Sequence, residues 1–210
     1  FEVGGIGYEP KGEIKLNGVP IVSLNYPELL HAGRVAAFCS NAELLFSEER
    51  KEWRIIGDPT EAAMLVFARK IGFDHSDLER ESPEISEIPF DYKNKYHVTL
   101  HQVASKKLLI VTGAPENVLT ICKRIWGKGK SSKLSSKERT ELESIFLKMS
   151  REGMRVVAFA TSWTVINQLT PKNVSGLTFG GFLGMKDAIR PEVYEAVRSV
   201  RSAGMRIIMI

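Results

Sequence analysis

Residues 85–112 have the sequence ISEIPFDYKNKYHVTLHQVASKKLLIVT, and this stretch decides the fold class of the 210-residue chain. Apolar, β-branched and aromatic residues are concentrated in three runs, which short polar segments separate. Strands joined by such short connections pair with one another in antiparallel fashion. We therefore predict three consecutive antiparallel strands over 85–91, 95–103 and 107–112.

The rest of the chain mixes helix and strand signals. Asp58 and Pro59 mark a helix start, with Glu61 completing a capping box, and Gly72 ends this helix after Ile71. Further predicted elements are a hairpin over 1–22, helices over 26–42, 115–122, 135–153 and 191–203, strands over 53–57, 156–161, 178–183 and 205–210, and a loop over 123–133. Together they predict an α+β fold, with a largely antiparallel twisted sheet flanked by helices.

The composition is that of a soluble globular protein. Hydrophobic residues make up 43% of the chain and charged residues 26%, which argues against intrinsic disorder. No apolar run approaches the roughly 18 residues that a membrane helix needs, and the polar start of the chain is not that of a signal peptide. The net charge of +4 is too small for a dedicated nucleic-acid-binding protein.

Cysteines and histidines show no metal-binding spacing. Cys39 and Cys122 lie far apart in apolar contexts, so we expect two buried free thiols in a reducing compartment. The four histidines are scattered along the chain. The sequence therefore predicts no metal site here.

Both ends of the chain are expected to be cut from a longer protein. Residues 205–210 form an apolar run after Gly204, which is typical of a buried parallel strand. A buried strand rarely ends a natural chain, because its terminal carboxylate is costly to bury. The alternative is a native terminal strand at the edge of a sheet.

Five short segments carry candidate functional side chains, and each also has a purely structural explanation. Residues 57–61 either start a helix or present a carboxylate to a ligand amine. Residues 89–95 either end a strand in a solvated turn or stack a base on an aromatic ring beside cations. Residues 111–116 either form a tight strand-to-helix turn or use a glycine to let a ligand approach the backbone.

The two remaining segments lie further along the chain. In residues 153–158, Arg155 either binds phosphate or caps the carbonyl groups of the preceding helix. In residues 186–191, Asp187 and Arg190 either pair to fix a chain crossover, or Asp187 is a helix N-cap.

In this order the segments resemble those of the cytoplasmic nucleotide-binding domain of P-type cation-transporting ATPases, in the calcium-pump-like branch. The resemblance covers nearly the whole chain. The matching stretches are 57–61 (GDPTE) for the family's Gly-Asp/Glu-x-Thr-Glu, 90–95 (FDYKNK) for its adenine-stacking Phe and following Lys, 112–116 (TGAPE) for its Lys-Gly-Ala-Pro-Glu, 153–155 (GMR) for its Gly-hydrophobic-Arg, 187–191 (DAIRP) for its Asp-Pro-Pro-Arg hinge, and 203–210 (AGMRIIMI) for the strand before its Thr-Gly-Asp.

The resemblance implies a role for each matching residue around bound ATP. Phe90 would stack on adenine, Glu61 would accept a hydrogen bond from the adenine amine, and Gly113 would let the base lie against the backbone. Lys95 and Arg155 would steer the phosphates.

Other matching residues would lie near the pocket or at its hinge side. Asp58 and Thr60 would border the pocket. Asp187 and Arg190 would lie at the hinge to the phosphorylation domain, where Arg190 would touch the phosphate end of ATP.

Three departures from the family pattern remove positive charge. Thr112 replaces the family's Lys, Tyr92 replaces an Arg that often follows the Phe, and Asn94 replaces the Arg before the family's Lys. We therefore expect modest ATP affinity, with partial compensation by Lys93. The absence of a His-Pro pair argues against the copper and zinc branch.

The resemblance also implies how the chain is divided and what it works with. Residues 1–187 would be the nucleotide-binding domain, and 188–210, a short helix and strand, would be the truncated start of the adjoining phosphorylation domain. The phosphate-accepting Asp would precede Phe1, and most Mg²⁺ ligands would follow Ile210. This chain would bind Mg-ATP without hydrolysing it. Its partners would be the phosphorylation and actuator domains of a membrane-embedded pump, on the cytoplasmic side of the membrane. It would not bind nucleic acid. The transported ion is not encoded here.

Two other functions compete with this hypothesis. The first is the cap domain of a soluble haloacid-dehalogenase-like phosphohydrolase, whose catalytic Asp motif this chain lacks. The second is a non-catalytic anion-binding module that uses a basic segment. The basic residues of that segment are Lys123, Arg124, Lys128, Lys130, Lys133 and Lys137.

Overall fold

The computed structural model describes residues 1–127, 129–186 and 191–208. The strands in these ranges are β1 (Glu2–Val3), β2 (Ile14–Leu16), β3 (Val19–Pro20), β4 (Glu43–Ser47), β5 (Glu52–Ile56), β6 (Glu84–Ile88), β7 (Tyr96–Val103), β8 (Lys106–Gly113), β9 (Cys122–Gly127), β10 (Lys130–Lys133), β11 (Arg155–Thr164) and β12 (Leu177–Met185). The helices are α1 (Pro27–Phe38), α2 (Pro59–Ile71), α3 (His75–Glu81), α4 (Pro115–Ile121), α5 (Ser136–Arg151) and α6 (Pro191–Ser202).

A seven-stranded sheet of order β10-β9-β12-β11-β8-β7-β6 forms the centre of the fold. β6, β7 and β8 pair antiparallel in succession, as the sequence predicts. β11 pairs antiparallel with both β8 and β12, and only the β12–β9 pair is parallel. The prediction of an α+β fold on a largely antiparallel sheet is therefore confirmed.

Helices cover both faces of this sheet. Side chains alternate between the faces of a strand, so neighbouring residues of β8 enter different cores. Ile110 belongs to the core that α1, α2 and α3 close on one face. Val111 belongs to the core that α4 and α5 close on the other.

The start of α2 follows the predicted capping only in part. The Asp58 carboxylate accepts hydrogen bonds from the N–H groups of Thr60 (2.7 Å) and Glu61 (3.2 Å). Gly72 ends the helix at φ +100°, a conformation that favours glycine. Glu61 does not complete the predicted capping box, because its carboxylate instead accepts a hydrogen bond from the Asn41 N–H.

Several elements differ from the prediction because pairing between distant segments decides them. α1 ends at Phe38, and the following residues form β4, which pairs with β5 in a separate hairpin. α3 is an additional helix, and the predicted hairpin over 1–22 is a three-stranded sheet. The predicted loop over 123–133 is the β9–β10 hairpin, because Ile125 packs on the sheet core and β9 pairs with β12.

The predicted C-terminal strand is not seen where the structure describes it. Residues 205–208 are exposed and irregular, while 209–210 lie outside the described residues. A parallel strand needs a neighbour to pair with, and 205–208 pair with none of the described strands. None of the described helices is both long and apolar enough to cross a membrane.

Candidate functional site

Five of the predicted site residues lie at one end of the main sheet. β6 and β8 finish at this end, and β7 and β11 begin there. Phe90 lies in the β6–β7 connection, and Lys95 directly precedes β7. Thr112 and Gly113 end β8, and Arg155 begins β11. The topology thus brings together three segments that are separate in the sequence.

The N-terminus of α2 is tied to the same end of the sheet. Nη1 of Arg155 donates a hydrogen bond to Oγ1 of Thr60 over 2.5 Å. Burial acts to raise the pKa of Asp58. The net effect is nevertheless a lowered pKa, because hydrogen bonds from Thr60 and Glu61 and the charge of Arg155 stabilise the carboxylate. Glu61 lies one residue further along the same helical turn.

Glu61 is held from the α1–β4 connection. Oε2 of its carboxylate accepts the Asn41 N–H over 2.9 Å, and its main-chain oxygen accepts the Ser40 hydroxyl, also over 2.9 Å. Sequence reasoning missed Ser40 and Asn41. No local pattern identifies them, because both contacts span about twenty residues of chain.

Phe90 is presented on an ordered turn. The residue is 54% exposed, and its ring makes an edge contact with Tyr92, at 5.8 Å between centroids. Oδ1 of Asp91 accepts the N–H groups of Lys93 and Asn94, and Oδ2 accepts the Asn94 amide. The hydrogen bonds from Asn94 are the main reason why the pKa of Asp91 is lowered. Asn94, which stands where the family pattern has an Arg, thus stabilises the turn.

Lys95 and Gly113 meet where β7 and β8 come together. Lys95 has φ +55°, and its carbonyl accepts the Ala114 N–H over 2.9 Å. A Cβ atom on Gly113 would lie 2.3 Å from that carbonyl oxygen. Glycine is therefore required here by the approach of β7, where the added Cβ would also lie 2.5 Å from the Tyr96 Cα. Nζ of Lys95 lies 3.9 Å from Glu116.

Thr112 points into the core beneath α1. It is 7% exposed, and its hydroxyl lies beside the Cys39 thiol, together with that of Thr99. Burial raises the pKa of this thiol to about 12. Both Cys39 and Cys122 are buried and unpaired, in agreement with the prediction of free thiols.

The remaining predicted residues and features can be placed as follows. Asp187 and Arg190 lie outside the described residues. In the described ranges, no three His, Cys, Asp or Glu side chains form a group that could hold a metal ion. Two surface grooves, of about 410 and 350 Å³, lie beside the β1–β2 pair and along 201–208. None of the candidate residues at the sheet end lines either groove.

The sheet end can hold a flat base and an anionic group at once. An exposed aromatic ring and a free carboxylate oxygen suit a base that carries an amine. Lys95 and Arg155 supply positive charge next to a helix N-terminus, which favours phosphate.

Comparisons with known proteins find one family. Residues 28–192 match the family described as P-type ATPase, cytoplasmic domain N. A calcium-transporting ATPase of Bacillus subtilis is 32% identical over the whole chain, which covers 24% of that protein. The cation-transporting ATPase pma1 of Synechocystis is also 32% identical, again over the whole chain and 24% of its own length.

A third relative is a sodium/potassium-transporting ATPase subunit alpha-A of Artemia franciscana. It is 31% identical over 90% of the chain and 20% of its own length. The chain thus spans about a quarter of the length of the first two curated relatives. Because the family match covers most of the chain and includes the strands and the α2 terminus that build the candidate site, the chain belongs to the family of P-type ATPase cytoplasmic N domains.

Proposed function

We propose that this chain binds Mg-ATP at the end of the main sheet, and presents the γ-phosphate to an aspartate on a phosphorylation domain. The observation that carries the proposal is the convergence of Phe90, Lys95, Gly113 and Arg155 at one sheet end, with the α2 terminus bound to Arg155. The relatives are cation-transporting ATPases, which supports phosphoryl transfer from ATP as the reaction of the intact protein.

The adenine base stacks on the exposed face of Phe90. The Asp91 turn fixes the backbone that directly follows this ring, so that little ordering of this segment is needed when the base arrives. The oxygen of Glu61 that Asn41 leaves free accepts a hydrogen bond from the adenine amine. Gly113 lets the base lie against the backbone at the end of β8.

The phosphates lie toward Lys95 and Arg155. A guanidinium has five N–H donors, so Arg155 can keep its bond to Thr60 while it binds a phosphate oxygen. Mg²⁺ arrives on the phosphates of the nucleotide. Thr112 is buried and stands where the family pattern has a lysine, so the phosphate end of the site has fewer cations than that pattern provides. The affinity for ATP is therefore modest.

The chain functions as one part of a larger pump. Residues 1–187 form the nucleotide-binding domain, 188–210 begin the phosphorylation domain, and Asp187 and Arg190 lie at the hinge between them. The proposal is supported by α6, whose described side chains are nearly all exposed, Val193 and Tyr194 among them. The partners are the phosphorylation and actuator domains of the same membrane protein, on its cytoplasmic side. Alone, the chain releases no phosphate from ATP.

Isothermal titration calorimetry with Mg-ATP tests the proposal. The chain should bind saturably, and Phe90→Ala should weaken binding about fivefold or more, because stacking of a base is worth about 1–3 kcal/mol. The matched control is Trp163→Ala, which removes a similarly exposed ring (57%) near the opposite end of β11. Absence of binding at millimolar ATP, or equal losses in the two variants, contradicts the proposal.

A further inference from the structure

Two residues of the α1–β4 connection donate hydrogen bonds to Glu61. Ser40 is completely buried, and its hydroxyl donates to the main-chain oxygen of Glu61. The next residue, Asn41, donates its N–H to Oε2 of the Glu61 carboxylate. One contact fixes the helical turn, and the other fixes the side chain.

The connection that provides these contacts is itself held on two sides. On one side Cys39 closes α1, with its N–H on the Val35 carbonyl, and its thiol lies 3.7 Å from the Thr99 hydroxyl on β7. On the other side Ala42 packs against Gly57, where a Cβ atom would lie 3.1 Å from the Ala42 Cα. The Asn41 N–H is therefore a donor in a fixed position.

We infer that Ser40 and the Asn41 N–H are positioning groups that make Glu61 select the 6-amino group of a purine over a 6-oxo group. This inference rests on the proposed function. Because the Asn41 N–H already donates to Oε2, the other carboxylate oxygen is the freer acceptor that Glu61 offers to a base. An amine donates to that oxygen, whereas a 6-oxo group opposes it with lone pairs.

The fixed donor predicts an unusual result for Glu61→Gln. Only the oxygen of an amide can accept the Asn41 N–H, so the NH₂ group of the new side chain must face the ligand. That NH₂ group donates to a 6-oxo purine and finds no acceptor on adenine. The preference for ATP over ITP should therefore be reversed rather than merely lost.

The experiment measures the affinities of the 210-residue chain for Mg-ATP and Mg-ITP by calorimetry. We expect the unaltered chain to prefer ATP by about tenfold, and Glu61→Gln to prefer ITP. Ser40→Ala should reduce the ATP preference severalfold, and Ser40→Thr, which keeps a hydroxyl, should restore it in part. The control is Glu141→Gln, which alters an exposed glutamate on α5.

The ratio of the two affinities separates positioning from simple destabilisation. Partial unfolding weakens ATP and ITP binding by the same factor and leaves their ratio unchanged. If Glu61→Gln lowers both affinities equally, or Ser40→Ala leaves the ratio unaltered, the inference is wrong. If the unaltered chain binds ATP in a Phe90-dependent way in those cases, the proposed function stands without it. If the unaltered chain binds neither nucleotide, both fail.

Discussion

His101 should make the stability of this chain depend on pH between about 4 and 6.5. The side chain lies on β7, is 1% exposed, and stacks against Phe38 with 4.3 Å between ring centroids. Neither ring nitrogen has a hydrogen-bond partner in the described structure. Burial lowers the pKa of His101 from 6.5 to about 4, although the charge of Glu79 acts to raise it.

The size and sign of the effect follow from proton linkage. Between these two pKa values the unfolded chain binds more protons than the folded chain, so the free energy of unfolding rises with pH. The contribution of His101 is complete above about pH 6.5 and is lost as the pH falls to about 4. The pKa difference corresponds to about 3 kcal/mol in total, of which about 2 kcal/mol is lost by pH 5.

Urea unfolding of the chain at pH 7.5 and pH 5.0 measures this loss. His101→Gln and His101→Leu both remove the titrating group, and each variant is compared with the unaltered chain at the same two pH values. The pKa of His31 is also lowered, mainly by burial, and its effect is common to all three proteins. We expect the unaltered chain to lose about 2 kcal/mol more than either variant.

Equal losses in all three proteins would refute this reasoning. So would an NMR titration of folded His101 with a midpoint near 6.5, because burial would then not oppose protonation. The variants also report the cost of the buried imidazole at neutral pH, and His101→Leu should tolerate pH 5 better than the unaltered chain.

Three further perturbations follow from local geometry. Gly113→Ala should lower the free energy of unfolding by about 1–3 kcal/mol in urea titrations, because its Cβ would meet the Lys95 carbonyl. Asp58→Ala should cost about 1 kcal/mol through the lost α2 cap, while Asp58→Asn should cost clearly less in the same assay. Burial raises the pKa of Cys39 and of Cys122 to about 12, so both thiols should resist a disulfide reagent at pH 8 and react fully in guanidinium.

Local signals predicted those elements whose limits are set by neighbouring residues. The start and end of α2 follow from Asp58 and Gly72, because a cap acts within one helical turn. The three strands of 85–112 were predictable because short connections favour antiparallel pairing between consecutive strands. The β9–β10 hairpin was not, because its apolar side chains are few and its pairing with β12 spans about fifty residues.

In the candidate site, too, local motifs predicted some residues, while tertiary packing decided others. Motifs indicated Phe90, Lys95 and Arg155, and the fold brings all three to one end of the sheet. The burial of Thr112 under α1 could not be inferred, because it depends on which face of β8 meets the helices. The hydrogen bond from Ser40 to Glu61 likewise depends on tertiary packing and could not be inferred from the sequence.

β10 is the outermost strand at one side of the main sheet, so the backbone groups along its outer side are available to another strand. Lys130 and Lys133 are exposed at the two ends of this strand. A second copy that added its own β10 here would bring like charges together, and the charge repulsion would oppose sheet extension. The same two lysines that make this strand resemble a loop in the sequence should therefore oppose aggregation of the folded chain, and neutralising them by acetylation should lower its solubility.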